Sequence, residues 1–251
     1  MTRQGKQRLA YHTVRGHGDG ANLPGLVFLG GFRSDMTGTK AAWLEMWAEE
    51  RGRAFLRFDY SGHGESGGDF LDGCIGDWAE DAADAVEALT DGPQILIGSS
   101  MGGWIALLLA KRMPDRIAAL VGIAAAPDFT EDSMWANFSS EQKAELDQTG
   151  SVALPSEYSD DPYVITKKLI EDGRQNLVLR SPLRLPFPLR LLQGTADTDV
   201  DTSVALRILH HVDCTDARLT LVKGSDHRFS ETPDLTLLGK TLHGITQSIS
   251  H

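Results

Sequence analysis

Residues 94–104 read Q-I-L-I-G-S-S-M-G-G-W, and this stretch decides the fold. Its first four residues predict a short buried strand, and residues 104–111 predict the helix that follows. Between them, residues 98–102 match the pattern G-x-S-x-G. A turn this sharp strains the serine backbone, and only glycine on both sides leaves room for the neighbouring chain. We therefore predict a nucleophile elbow that pushes the Ser100 hydroxyl into a cleft.

The backbone around this turn also predicts a site that stabilises an anion. Ser100 comes at the start of a helix, where free N–H groups and the positive end of the helix dipole favour an oxyanion. The backbone N–H of Met101, the residue after the nucleophile, supplies one donor. The run Gly30-Gly31-Phe32 directly follows the first central strand and supplies the other. We assign the second donor to Phe32 and keep Gly31 as the alternative.

Composition and charge limit the class of protein. A chain of 251 residues can bury a large core, and we expect one domain with an insertion. Asp and Glu outnumber Lys and Arg by 35 to 24, a net charge of −11 with no long basic run, which argues against a nucleic-acid partner. No apolar stretch has the length of a signal peptide or transmembrane segment, so we expect a soluble cytoplasmic protein. Cys74 and Cys214 form neither a disulfide framework nor a C-x-x-C pair, and we expect reduced thiols.

Short apolar runs alternate with helical patterns along most of the chain. Helical spacing covers residues 43–51 and 77–89, and the helix after Ser100 is apolar on nearly every side. This alternation predicts an α/β fold with a mostly parallel central sheet covered by helices on both faces. The predicted strands are residues 26–29, 54–58, 95–97, 120–124, 189–192 and 219–222, with a weaker one at 9–14.

The alternation breaks over residues 127–187, which are richer in polar residues and proline. We predict that this range forms a lid of short helices, inserted into a core made of residues 1–126 and 188–251. Aromatic residues in a lid either line the substrate cleft or hold the lid on the body, and the pattern is compatible with both. The candidates for substrate binding are Trp135, Phe138, Tyr158 and Tyr163.

A serine nucleophile needs a base, and the base needs an acid that orients it. We assign the acid to Asp197, which comes just after the strand at 189–192, at the active edge of the sheet. Asp199 and Asp201 are the alternatives, although each lies further from the strand end and could instead cap the next helix. We assign the base to His227, the only histidine between the last strand and the C-terminal helix.

The other histidines have simpler interpretations, and no metal site is expected from their spacing. His63 lies in the glycine-rich run S-G-H-G-E-S-G at residues 61–67. That run lacks both the Walker lysine and the spacing of a dinucleotide-binding loop. We therefore predict a loop beside the cleft instead of a phosphate site.

From end to end the chain resembles the α/β-hydrolase superfamily, with F-D-Y-S-G-H-G-E-S at residues 58–66 matching its turn after a central strand. A closer resemblance is to the mycophenolic acid acyl-glucuronide esterase family, whose mammalian member is also a palmitoyl-protein thioesterase. The stretches that carry it are G-F-R-S-D-M-T-G-T-K-A (31–41), G-P-Q-I-L-I-G-S-S-M-G-G-W (92–104), L-P-S-E-Y-S (154–159) and S-D-H-R (225–228).

The family's catalytic serine, aspartate and histidine fall on Ser100, Asp197 and His227, which agrees with the assignment from the residues. The chain departs from the family at Val200-Asp201, where a Val-Pro pair is common. Because the sequence begins close to the domain, we expect no mitochondrial transit segment and a bacterial relative of this family.

The resemblance implies hydrolysis of a small-molecule or lipid-acyl ester or thioester, through an acyl-enzyme on Ser100 and without a cofactor. The nearest rival interpretation keeps the fold but cleaves amide, peptide or carbon–carbon bonds. A rival of another class is a binding protein that retains the fold without turnover, because a fold alone does not establish a function.

Overall fold

The centre of the molecule is a seven-stranded sheet, described by a computed structural model that covers residues 7–154 and 162–249. The strands in chain order are Tyr11–Val14 (β1), Gly25–Leu29 (β2), Phe55–Phe58 (β3), Gln94–Ser99 (β4), Ile117–Ile123 (β5), Ser151–Leu154 (β6), Tyr163–Thr166 (β7), Leu183–Arg184 (β8), Leu189–Gly194 (β9), Val212–Asp213 (β10) and Ala217–Val222 (β11). The order across the main sheet is β1-β3-β2-β4-β5-β9-β11. Only β1 is antiparallel to its neighbour, and the other pairs in this sheet are parallel.

Helices cover both faces of this sheet. The α-helices in chain order are Thr39–Glu49 (α1), Ile75–Leu89 (α2), Met101–Arg112 (α3), Ser140–Thr149 (α4), Lys167–Gln175 (α5), Thr202–His211 (α6) and Thr232–Ile249 (α7). Of these, α4 and α5 lie in the segment between β5 and β9 and not against the central sheet. Among the described residues, no helix is both long and apolar enough to cross a membrane.

Successive residues of the central strands pack into two separate apolar cores. In β2, Leu26 and Phe28 face α1 and α7, whereas Val27 and Leu29 face the side of α2 and α3. All four side chains are at most 5% exposed. A strand buried on both faces needs apolar residues at every position, which is why these strands are continuous apolar runs in the sequence. The predicted α/β fold with a mostly parallel sheet is therefore confirmed.

The segment between β5 and β9 contains more than the short helices expected over residues 127–187. It does form helical elements, a π-helical turn at Thr130–Trp135 followed by α4 and α5. Between these two helices, however, β6 pairs antiparallel with β7. The prediction of a purely helical insertion is wrong at this hairpin. Only Val152 in β6 and Ile165 in β7 are buried, so neither strand shows the alternation that predicts a strand from sequence.

The two ends of this segment are fastened to each other by Asp128. Its carboxylate is fully buried and accepts hydrogen bonds from the backbone N–H groups of Val178 (2.8 Å) and Leu179 (3.0 Å). Arg180 adds a third contact to the same carboxylate at 3.2 Å. The outgoing and returning chains of the insertion are thus joined to each other by these hydrogen bonds.

Candidate active site

The nucleophile elbow predicted at Ser100 lies between β4 and α3. Ser100 has a φ of 54°, in the left-handed region that non-glycine residues rarely adopt. A Cβ atom on Gly98 would lie 2.3 Å from the Gly102 carbonyl oxygen, and one on Gly102 would lie 2.0 Å from the Leu29 carbonyl oxygen. Both positions of the motif therefore require glycine. The Ser100 N–H donates to the Ile123 carbonyl at 2.9 Å, which fixes the turn to β5.

Ser100, His227 and Asp197 lie in one line of hydrogen bonds. His227 Nε2 is 3.1 Å from Ser100 Oγ, and His227 Nδ1 is 3.1 Å and 3.0 Å from the two carboxylate oxygens of Asp197. Ser100 and His227 are separated by 127 residues in sequence, so the fold creates this contact. The geometry allows the imidazole to take the serine proton while the carboxylate holds the ring in the required tautomer.

The Asp197 carboxylate is surrounded by hydrogen-bond donors. Its side chain is fully buried, and Val200 N and Asp199 N donate to Oδ1 at 2.8 Å and 2.9 Å. Gln193 Nε2 donates to Oδ2 at 2.9 Å. Burial by itself raises the pKa of this carboxyl, but the hydrogen bonds from His227, Val200 and Gln193 outweigh it and hold the pKa below its ordinary value. The carboxylate therefore stays ionised beside the imidazole.

Gln193 is a site residue that the sequence analysis missed. It is fully buried at the end of β9, four residues before Asp197, and its Nε2 also contacts the Val200 carbonyl at 3.1 Å. A polar side chain in the apolar run L-R-L-L-Q-G was the available signal, because a buried amide needs partners.

The two alternative acids lie elsewhere in the same loop. Asp201 caps α6 by accepting the Ser203 N–H at 2.8 Å, the role that the sequence suggested as its simpler explanation. Asp199 is exposed, and its ligand atom lies within 4.8 Å of those of Asp197 and His227. Two carboxylates and an imidazole this close together could hold a metal ion. The hydrogen bonds between Asp197 and His227 already explain why those two side chains lie close to each other.

The loop after β2 runs beside the nucleophile. A Cβ atom on Gly31 would lie 3.4 Å from the Ser100 Cβ, so the backbone of this loop passes close to the serine. The Gly31 carbonyl is occupied, because it accepts from both the N–H (3.2 Å) and the Oγ (2.8 Å) of Ser34. Met101 is buried in the first turn of α3, where the N–H groups lack intrahelical partners. Gly31, Phe32 and Met101, the residues named for the oxyanion hole, thus lie on the two segments that flank Ser100.

Aromatic rings surround Phe32. Its ring centroid lies between 5.0 and 6.4 Å from those of four other rings, which are Phe70, Trp78, Phe129 and Tyr163. We call these five rings the Phe32 cluster. Two of its members, Phe129 and Tyr163, come from the segment between β5 and β9. The guanidinium of Arg33 lies 4.8 Å from the Tyr163 ring centre and 5.4 Å from that of Phe70.

The structure separates the aromatic residues that were grouped as candidates for substrate binding. Tyr163 joins the Phe32 cluster. Trp135 instead pairs with Phe138 at 6.2 Å, and its ring is covered by Arg174 at 4.4 Å and Lys143 at 5.0 Å. These contacts are those of a ring that packs within the insertion. Tyr158 lies outside the described residues.

His63 is buried beside the same cluster. Its ring centroid lies 5.1 Å from those of both Phe70 and Trp78, and its Nδ1 lies 3.2 Å from the Ser61 carbonyl. Burial lowers the pKa of His63, so the ring is neutral near pH 7. The glycine-rich run thus forms a packed turn around a neutral imidazole.

Comparison with known proteins assigns the chain to a family. A model of the alpha/beta hydrolase fold family matches residues 26–150. Palmitoyl-protein thioesterase ABHD10, mitochondrial, from Homo sapiens is 35% identical over 251 residues, which cover 100% of this chain and 80% of that protein. The chain belongs to the α/β-hydrolase family.

Solved structures of α/β-hydrolases agree with this assignment. Alpha/beta hydrolase domain-containing protein 10 from mouse superimposes with a TM-score of 0.90 at 32% identity, over 99% of this chain and 98% of that one. A protein from Agrobacterium vitis described as a hydrolase gives a TM-score of 0.93 at 38% identity, over 98% of this chain and 96% of that one. This α/β-hydrolase is therefore an enzyme that cleaves bonds by hydrolysis, and it resembles a thioesterase.

Proposed function

We propose that this α/β-hydrolase cleaves carboxylic esters and acyl thioesters by nucleophilic catalysis, with Ser100 as nucleophile, His227 as base and Asp197 as the orienting acid. The single observation that carries the proposal is the 3.1 Å contact between His227 Nε2 and Ser100 Oγ at a strained elbow. A hydroxyl within hydrogen-bond reach of a base that is itself oriented by a carboxylate is the arrangement of an activated serine.

The reaction proceeds in two halves. In the first, Ser100 Oγ attacks the acyl carbon while its proton passes to His227 Nε2, and the tetrahedral intermediate collapses to an acyl-serine. The alcohol or thiol leaves with the proton that His227 returns. In the second half, His227 takes a proton from water as the water oxygen attacks the acyl-serine, and the tetrahedral intermediate collapses with return of that proton to Ser100 Oγ, which releases the carboxylic acid and free Ser100. Asp197 stabilises the imidazolium in both halves.

The oxyanion of each tetrahedral intermediate is held by the backbone N–H groups of Met101 and Phe32 in this proposal. Two observations support it. Met101 lies at the N-terminus of α3, where the helix dipole also favours negative charge. Gly31, the residue before Phe32, passes close to Ser100, which supports Phe32 as the second donor. The donors are fixed by backbone structure before the substrate arrives, which is what electrostatic stabilisation requires.

The substrate class follows from the Phe32 cluster and from the relatives. Rings that adjoin a proposed oxyanion donor offer an apolar surface to the acyl group, and Tyr163 and Phe129 make the residues inserted between β5 and β9 part of that surface. The relative from Homo sapiens is named a palmitoyl-protein thioesterase. We therefore propose an apolar acyl chain as the substrate's acid half.

The cytoplasmic location expected from the sequence stays a prediction, and the human relative's name places that protein in mitochondria.

The proposal is tested by hydrolysis of p-nitrophenyl acyl esters from acetate to palmitate and of the matching thioesters, with wild type and Ser100→Ala side by side. We expect wild-type turnover on both series and a loss of about 10⁴-fold or more in Ser100→Ala. Labelling of Ser100 by a fluorophosphonate separates an activated serine from an idle one. Labelling without turnover on either series favours an amide or carbon–carbon substrate, and absence of both favours the binding protein.

A further inference from the structure

Lys40 connects two parts of the proposed active site that are far apart in sequence. It lies in the first turn of α1, and its Nζ donates to the backbone carbonyl of Arg228, 188 residues away. The same Nζ lies 3.4 Å from Ser230 Oγ. Arg228 directly follows the proposed base His227, and the loop that leads into α1 carries the proposed oxyanion donor Phe32. One side chain therefore joins the loop of the base to the loop of the oxyanion hole.

The loop that Lys40 contacts is strained. Phe229, the residue after Arg228, has a φ of 49° although it is not glycine, and its ring is fully buried. Its N–H donates to Asp226 Oδ1 at 3.0 Å, and Ser225 Oγ donates to Asp234 Oδ1 at 2.6 Å. A backbone conformation of this kind persists only where the surroundings impose it. The carbonyl immediately before the strained residue accepts from both Lys40 Nζ and Ser230 Oγ (2.8 Å), and Lys40 is the donor that comes from outside this loop.

We propose that Lys40 is a positioning residue, which holds His227 in line with Ser100 through the hydrogen bond from its ammonium group to the Arg228 carbonyl. The proposal rests on the proposed function, because it assigns Lys40 a role through the proposed base. Lys40 itself touches no reacting atom. Its effect is on the geometry in which His227 Nε2 meets Ser100 Oγ, and small displacements of a base are costly to the rate.

The charge on Lys40 makes this contact depend on pH. Burial lowers the pKa of Lys40 to about 8, while the carboxylates of Asp226 and Asp234 oppose this shift and the Arg228 guanidinium adds to it. A lowered lysine pKa means that the ammonium form dominates only below about pH 8. A neutral amine donates a weaker hydrogen bond than an ammonium does. The position of His227 is therefore best defined below that pH.

The experiment compares wild type, Lys40→Met and Lys40→Arg, with Lys240→Met on the exposed surface of α7 as the matched control. Initial rates on one p-nitrophenyl ester are measured from pH 6 to pH 10, with thermal unfolding of each variant alongside. We expect Lys40→Met to lower kcat about 10- to 100-fold with little change in KM. Wild type should lose activity as the pH rises through about 8, and Lys40→Arg should retain it to higher pH. Lys240→Met should behave as wild type.

The NMR signal of the His227 Nδ1 proton gives a readout that needs no substrate. We expect this proton, which is shared with Asp197, to shift or broaden in Lys40→Met and not in Lys240→Met. A Lys40→Met variant with wild-type kcat, pH profile and His227 signal overturns the proposal, as does a variant that is only less stable to heat. If wild type shows no serine-dependent turnover but its His227 signal still depends on Lys40, the proposed function fails and the positioning role stands.

Discussion

Gln193 Nε2 donates to Asp197 Oδ2 at 2.9 Å from a fully buried position at the end of β9. The contact adds a donor to a carboxylate that already accepts two backbone N–H groups and lies against His227. Gln193 is thus one of three donors that hold the Asp197 carboxylate beside His227, the carboxylate that orients the imidazole in the proposed mechanism.

Replacement of Gln193 by leucine should lower kcat, because Asp197 loses a donor and can rotate away from His227. Gln94→Leu is the matched control, since Gln94 is also a buried strand glutamine but its Nε2 donates to the Asp91 and Gly92 carbonyls instead of to Asp197. Both variants should lose stability in urea unfolding, by about 1–3 kcal/mol each. Only Gln193→Leu should lose turnover per folded molecule, and equal kcat values in the two variants would contradict the role of Gln193.

The assignment of the acid is tested with Asp197→Asn and Asp199→Asn. An amide at position 197 favours the wrong imidazole tautomer, so kcat should fall by about 10⁴-fold. Asp199→Asn should keep wild-type turnover, because the contact of Asp199 with Asp197 uses its backbone N–H. A larger loss in Asp199→Asn than in Asp197→Asn would move the acid to the neighbouring residue.

Asp197 should also make stability depend on pH. Its pKa in the folded protein lies below the ordinary value of 3.8, so the folded state binds fewer protons than the unfolded state in the acid range. The stabilisation is complete above that value and is lost as the pH falls through the lowered pKa. The free energy of unfolding should therefore decrease less on acidification in Asp197→Asn than in wild type, as measured by urea unfolding between pH 6 and pH 3. Parallel curves would show that the pKa of Asp197 is the same in the folded and unfolded states, which contradicts the lowered pKa.

Gly102→Ala should be among the most damaging single-methyl changes in the chain. The added Cβ would lie 2.0 Å from the Leu29 carbonyl oxygen, a backbone atom that cannot move without displacing β2. We expect a loss of more than about 3 kcal/mol in urea unfolding. Gly244→Ala is the control, because nothing lies within 4 Å of its added Cβ, and alanine within α7 should stabilise by up to about 1 kcal/mol. Wild-type stability in Gly102→Ala would contradict the packing of the elbow against β2.

Tyr163→Ala should change acyl-chain preference. If the Phe32 cluster contacts the acyl group, removal of the ring that stacks 6.4 Å from Phe32 should lower kcat/KM for long acyl chains by about 10-fold or more and spare acetate. Trp135→Ala tests the other interpretation of the insertion's aromatic residues, because its ring packs against Arg174 and Lys143. That variant should lose stability without a change in chain-length preference. The reverse pattern would exchange the roles of the two rings.

Local patterns allowed most of the fold to be predicted. The elbow at residues 98–102 and the apolar strands around it could be predicted because their patterns, G-x-S-x-G and continuous apolar runs, lie in consecutive residues. The central sheet could be predicted for the same reason. The hairpin of β6 and β7 could not, because strands with one buried residue each carry no periodic signal.

Some residues of the candidate site could likewise be predicted from local patterns, and others could not. Ser100, Asp197 and His227 could be named because each follows a recognisable strand at the end where side chains reach the active edge. Lys40 has no local signature of its role, and for Gln193 the sequence shows only a polar side chain in a buried strand. Lys40 donates to the carbonyl of Arg228, which is 188 residues away in sequence. Gln193 meets Asp197 because the loop after β9 turns back towards it. Contacts of this kind are set by tertiary packing, which a single sequence does not display.

The junction at Asp128 bears on how this enzyme could change its substrates. Because the carboxylate joins the outgoing chain to Val178 and Leu179, the residues between are anchored by a short knot of hydrogen bonds instead of by their own packing alone. Some of the residues between also pack into the core on the side of α2 and α3, among them Phe138, Leu146 and Ile170, and these positions are constrained by that packing. Under the proposed function, the remaining positions of the insertion are the ones at which selection can alter acyl preference while the buried junction keeps both ends of the insertion in place.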